Sequence, residues 1–122
     1  MIEPTLNYVL CPGPGAPVVS SGNSSASAAT HHRMAYWEWN ATGNPAHPHV
    51  VVCVHGLSRQ GRDFDTLARA LSQHARVICP DVVGRGQSDW LADPMGYQIA
   101  QYAADMLAML AQVHQQAPIT TL

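Results

Sequence analysis

The chain has 122 residues, 47% of them hydrophobic, enough for one modest core and without a compositional break that would mark a second folded unit. Its formal charge of -2 sets eight acids against six arginines with no lysine, which excludes a basic face for nucleic acid or anionic lipid. The longest uninterrupted apolar stretch, Met106 to Ala111, falls far short of the roughly 20 residues that span a bilayer, and no basic, apolar export signal opens the chain. A cytoplasmic protein without a membrane partner is the expectation.

Residues 1–30 hold four prolines, three glycines and five serines, carry one charge at Glu3, and show no sustained apolar period. Asn7 to Cys11 has the make-up of a brief strand, but the Pro12 to Pro17 stretch cannot feed a regular ladder. Residues 1–30 are therefore expected to form a disordered extension, and residues 31–122 the folded unit. From Met34, the alternation of Ala35, Trp37 and Trp39 with Met34, Tyr36 and Glu38 predicts a strand ended by Asn40 to Pro45. Val50 to Val54 is a continuous run of the kind covered on both faces in a parallel sheet. Asp63 is placed to cap a helix whose Phe64, Leu67, Ala68 and Leu71 form one apolar stripe.

Val77 to Cys79 predicts a further strand, stopped by Pro80 and followed by a glycine-containing loop from Asp81 to Asp89. Ile99, Tyr102, Ala103, Met106, Leu110 and Val113 mark one face of a longer helix that ends before Pro118, and Ile119 to Leu122 is a possible strand start. Strands alternating with helices imply a mostly parallel sheet flanked by helices, with chemistry in the loops at the carboxyl ends of the strands.

Two nucleotide motifs fail on inspection. Gly56 to Gly61 has the glycine spacing of a phosphate-binding loop, but Arg62 and Asp63 replace its lysine and hydroxyl. Gly84 to Asp89 follows a strand, but Asp89 stands where the third glycine of a dinucleotide fingerprint belongs. No cofactor is expected. The third reading of His55-Gly56-Leu57 is an oxyanion loop, in which the glycine permits a sharp turn and the Leu57 backbone N–H faces a developing negative charge.

His55-Gly56-Leu57 after one strand, followed after the next by Asp81-Val82-Val83-Gly84-Arg85-Gly86-Gln87-Ser88, resembles the α/β-hydrolase family from about Tyr36 to Val113. The resemblance implies a partial α/β-hydrolase fold in which these strands are the second, third and fourth of the family's sheet and Ile119 begins the fifth. It implies hydrolysis of an ester-like bond of a small-molecule substrate through a Ser-His-Asp/Glu triad whose serine follows the fifth strand. No GxSxG occurs in these 122 residues, and Gly86-Gln87-Ser88-Asp89-Trp90 has Trp90 in place of the second glycine, so Ser88 is read as a structural turn residue beside Asp81, Gly84 and Gly86. The segment is thus expected to stop short of the nucleophile elbow and to be inactive alone. Epoxide hydrolases and dehalogenases of this fold commonly carry proline two residues after the HG pair, where this chain has Ser58.

His55 is expected to anchor the oxyanion loop through its ring rather than to act as the triad base. Cys11, Cys53 and Cys79 lack a CxxC pair and fit buried thiols of a reducing compartment. His31-His32 and His47-Pro48-His49 are read as solvated loop histidines without a metal, and Asp105 as a solvated or helix-neighbour carboxylate off its helix's apolar stripe. A reading from another class is a short non-catalytic module that binds a partner or complementing half through an exposed sheet edge, with self-association through that edge as its hazard.

Overall fold

Alternation of side chains along residues 31–39 builds the middle of the sheet. In the computed structural model, which describes residues 3–12, 31–56, 59–91 and 97–122, strand β2 (His31–Trp39) sends Met34 and Tyr36 into one core and Trp39, with Trp37 beside it, into another on the opposite face. Along its whole length β2 pairs antiparallel with β1 (Thr5–Pro12), from Thr5 opposite Glu38 to Pro12 opposite His31. The disordered extension expected over 1–30 is thus corrected for residues 5–12, while residues 13–30 lie outside the described residues. Val9 and Cys11 alternate inward against exposed Leu10, and the Gln112 side chain donates to the Tyr8 carbonyl at 3.0 Å. Tertiary packing outweighs the proline-rich neighbourhood, and Pro12 falls at the strand end where a missing N–H is tolerated.

Strand β4 (Arg76–Pro80), buried at every position, pairs antiparallel with β2 and parallel with β3 (Val50–Val52). The order is β1-β2-β4-β3. The α/β class is as expected, but the described sheet is mixed, because the two N-terminal strands run antiparallel to their neighbours.

Helix α1 (Asp65–Leu71) covers one face and α2 (Ile99–Gln116) the other. A single 3-10 turn (Gly61–Phe64) leads into α1, and the Asp63 carboxylate reaches back to accept the Gln60 N–H at 3.4 Å. With only seven residues, α1 lays Ala68, flanked by Phe64 and Leu71, on Trp39, Val77 and Cys79, and Leu67 of the expected stripe stays half exposed. On α2, fully buried Met109 and Val113 pack against Val9, Cys11, Met34 and Tyr36.

Three expectations on this face are corrected. Ile99 is 84% exposed, whereas Asp105 is 1% exposed, one and two turns before Met109 and Val113 on the buried stripe. The carboxylate is accommodated because His32 Nε2 lies 2.9 and 3.0 Å from its two oxygens and Gln101 donates to it at 2.7 Å. His32, expected in solvent, is buried in β2 for the same reason. At the opposite end of the fold, the buried Arg76 donates to the carbonyls of His47 and Ala117 at 2.8 and 2.9 Å. The strand start expected at Ile119 to Leu122 is a single parallel rung, His49 to Thr121, in which the Val50 N–H donates to the Thr121 carbonyl at 2.9 Å. No helix among the described residues is long and apolar enough to cross a membrane.

Candidate active site

The parallel pair β3 and β4 ends in two loops that meet at one imidazole. The Cys53 N–H donates to the Ile78 carbonyl at 2.9 Å, extending the ladder one step past β3, and Val54, His55 and Gly56 then leave the sheet. The buried His55 ring accepts the Val82 N–H at Nε2, 2.9 Å away. A backbone N–H can only donate, so the ring proton belongs to Nδ1, which donates to the Gly56 carbonyl at 2.6 Å. One side chain therefore clamps the loop after β3 to the loop after β4. Leu57, the expected oxyanion donor, and Ser58 lie outside the described residues.

The loop after β4 is organised by Asp81, 1% exposed. Its Oδ1 accepts the Gly61 N–H at 2.7 Å, and its Oδ2 accepts the Gln87 N–H at 2.9 Å and the Trp37 indole N–H at 3.3 Å. The Ser88 hydroxyl donates to the Asp81 carbonyl and accepts the Ala35 N–H at 2.7 Å, which spends its proton on the loop and joins the loop to β2. Gly86, at φ +51°, passes so close to Asp81 that a Cβ there would lie 2.2 Å from Oδ2. Gly84, at φ +82°, turns under the Tyr97 ring, where a Cβ would meet carbon at 2.8 Å.

An apolar cavity of about 320 Å³ opens beside the clamp, lined by Val54, His55, Gly56 and Val82 from the loops and by Ile99, Tyr102, Ala103 and Met106 from α2. A second depression, of about 350 Å³, is polar and bordered by Arg59, Gln60, Asp63, Arg85 and Gly86. The apolar cavity touches both described residues of the HG loop. Arg85 donates to the Val83 carbonyl at 2.8 Å and lies against the Tyr97 and Tyr102 rings.

Trp37, Gly61 and Tyr97 were not among the candidate residues read from sequence. The first two reach Asp81 only once the sheet is assembled, and no local spacing connects them. His47 and His49 face each other with ring centroids 5.2 Å apart, and neither joins a set of three metal-ligating groups among the described residues.

Against known proteins, the model of the α/β-hydrolase fold matches residues 49–122, more than half of the sequence. The chain belongs to the α/β-hydrolase family. A 3-hydroxybutyrate-oligomer hydrolase of Cupriavidus necator is 57% identical over 88 residues, covering 72% of this chain and 29% of the relative. A protein named as the carbamate hydrolase RutD, from Yersinia enterocolitica, is 37% identical over 79 residues, covering 65% of this chain and 28% of its own length. Among solved structures, an α/β hydrolase of Novosphingobium aromaticivorans superposes with a TM-score of 0.63 at 35% identity, over 92% of this chain and 32% of that one. The chain thus spans under a third of each of these relatives.

Proposed function

We propose that this α/β-hydrolase segment is the oxyanion-loop half of an acyl hydrolase that cleaves ester-like bonds of small molecules. The Leu57 backbone N–H receives the oxyanion, and His55 and Gly56 shape the loop around it. The observation that carries this reading is the His55 clamp between Val82 and Gly56. In a trans peptide the carbonyl and the next N–H point opposite ways, so holding the Gly56 carbonyl sets the direction of the amide that follows. A preorganised donor of this kind is worth a factor of about 10²–10³ in kcat. Leu57 has an apolar side chain, which leaves only its backbone to assist.

The apolar cavity beside His55 suits a short acyl chain. The relative named for 3-hydroxybutyrate oligomers favours an ester of a small hydroxy acid as substrate, and the one named for carbamate supplies the competing bond type. Nucleophile, acid and base must come from outside these 122 residues, which contain no GxSxG, and by itself the chain turns over no ester.

The test is a chimaera in which this chain replaces the 57%-identical segment of the Cupriavidus necator relative. It is expected to hydrolyse a 3-hydroxybutyrate dimer in preference to a carbamate. Leu57→Pro, which deletes the N–H, is expected to lower kcat by about 10²–10³-fold with little change in KM. A kcat that survives this substitution rejects the oxyanion assignment. Turnover of an aryl ester by the 122-residue chain alone rejects its inactivity.

A further inference from the structure

Beneath α2, the fold gathers three side chains that bind metals well. Cys11 and His32 are directly opposite each other in the β1–β2 ladder, so both leave the same face of the sheet. The helix crossing that face brings down Asp105. One donor atom from each lies within 4.8 Å of the other two, and the residues are 0%, 2% and 1% exposed. The geometry points to a site for one divalent ion of the zinc class, held by the Cys11 thiolate, the His32 imidazole and the Asp105 carboxylate.

Three arguments support it. Thiolate and carboxylate together neutralise a dication beside a neutral imidazole, so the filled site carries no net charge into the dry interior. Hydrogen bonding to Asp105 accounts for one nitrogen of the buried His32 ring, Nε2, and leaves the enclosed Nδ1 without a partner. The donor distances are also close to those required. Zinc bonds of about 2.3 Å to sulfur and about 2.0 Å to nitrogen or oxygen give tetrahedral edges of about 3.3–3.6 Å. His32 Nε2 is 2.9 and 3.0 Å from the two carboxylate oxygens and all three donor atoms lie within 4.8 Å of one another, so closing the site takes shifts of about an ångström.

Sulfur selects a borderline or soft ion over magnesium or calcium, and three protein ligands leave a fourth position for water. On binding, the Cys11 S–H bond breaks, sulfur keeps the electron pair to form the metal–sulfur bond, and the proton leaves to solvent. The ion then cross-links β1 and β2 to α2. With ligands 21 and 73 positions apart, no spacing motif announces the site.

The test uses the complete 122-residue chain, stripped with a chelator and titrated with Co²⁺ alone. One equivalent is expected to produce a near-ultraviolet thiolate-to-cobalt band with tetrahedral visible bands, bleached by Zn²⁺. Asp105→Asn, which removes a direct ligand, is expected to weaken cobalt binding by at least the roughly 10–100-fold that losing an outer partner of a ligand costs, while a variant lacking both other thiols, C53S/C79S, keeps the band. A wild-type chain without the thiolate band overturns the proposal. So does a folded Cys11→Ser variant that retains it. Should Cys11→Ser fail to fold, the titration of C53S/C79S decides, since Cys11 is then the only thiol present.

Discussion

Asp81 accepts three N–H groups from three parts of the chain, and its own carbonyl is taken by Ser88. Such a carboxylate leaves no room beside it. Gly86→Ala would force a Cβ into it at a positive φ, and the combined strain and overpacking are expected to destabilise the fold by about 2–4 kcal/mol in urea unfolding. Ser88→Ala orphans the Ala35 N–H and is expected to lower stability by about 1–3 kcal/mol in the same assay, with no loss of nucleophilic chemistry in the chimaera. A large loss of turnover with unchanged stability would instead mark Ser88 as a reacting group.

Charge at single residues follows burial as well. Burial pushes the Glu38 carboxyl above the usual range, only partly opposed by Arg76. A carboxyl raised in the folded state contributes stability that is complete below its unfolded value and is lost as pH rises through its folded one. Glu38→Gln removes that loss, so the difference in urea midpoint between variant and wild type is expected to move in the variant's favour from about pH 4 to about pH 7. A pH-independent difference would contradict it. Burial likewise pushes Cys53 and Cys79 up, with each thiol beside the other.

At the scale of elements, periodicity located the strands at β2, β3 and β4 and both helices, because each carries a strong local pattern. On α2 it placed Met106, Leu110 and Val113 against the core but missed the burial of Asp105 and Met109 and the exposure of Ile99. The stripe drawn through Ile99 and Tyr102 to Val113 follows hydrophobicity alone, whereas the helix turns Asp105 and Met109 inward beside Val113, with His32 across the interface to receive the carboxylate. A buried polar pair 73 positions apart has no signature along the chain. The β1 strand was discounted for its prolines although Val9 and Cys11 alternate with exposed Leu10, and that two-residue period was the better guide. Of the candidate site, the glycines and Asp81 were legible from their order along one loop, while Trp37 and Gly61 were not. Met109→Ala is expected to cost about 2–5 kcal/mol in thermal or urea unfolding, and Leu107→Ala, at a position 68% exposed, within about 0.5 kcal/mol of nothing. Equal effects would mean that α2 is turned the other way.

For the whole molecule, β3 is paired along one side by β4, and among the described residues its other side is met at a single rung. A β-branched strand left so open recruits other strands, and the purified chain is expected to self-associate in static light scattering. A clean monomer at high concentration would argue against an available edge. That single rung also acts as a ruler. A polypeptide advancing beside β3 in step with Thr121 comes level with His55 after six residues, about 20 Å further along. A ribbon held in that register would reach the imidazole with its direction and phase set at the far end of the sheet, where Arg76 grips the two segments leading into the rung at His47 and Ala117.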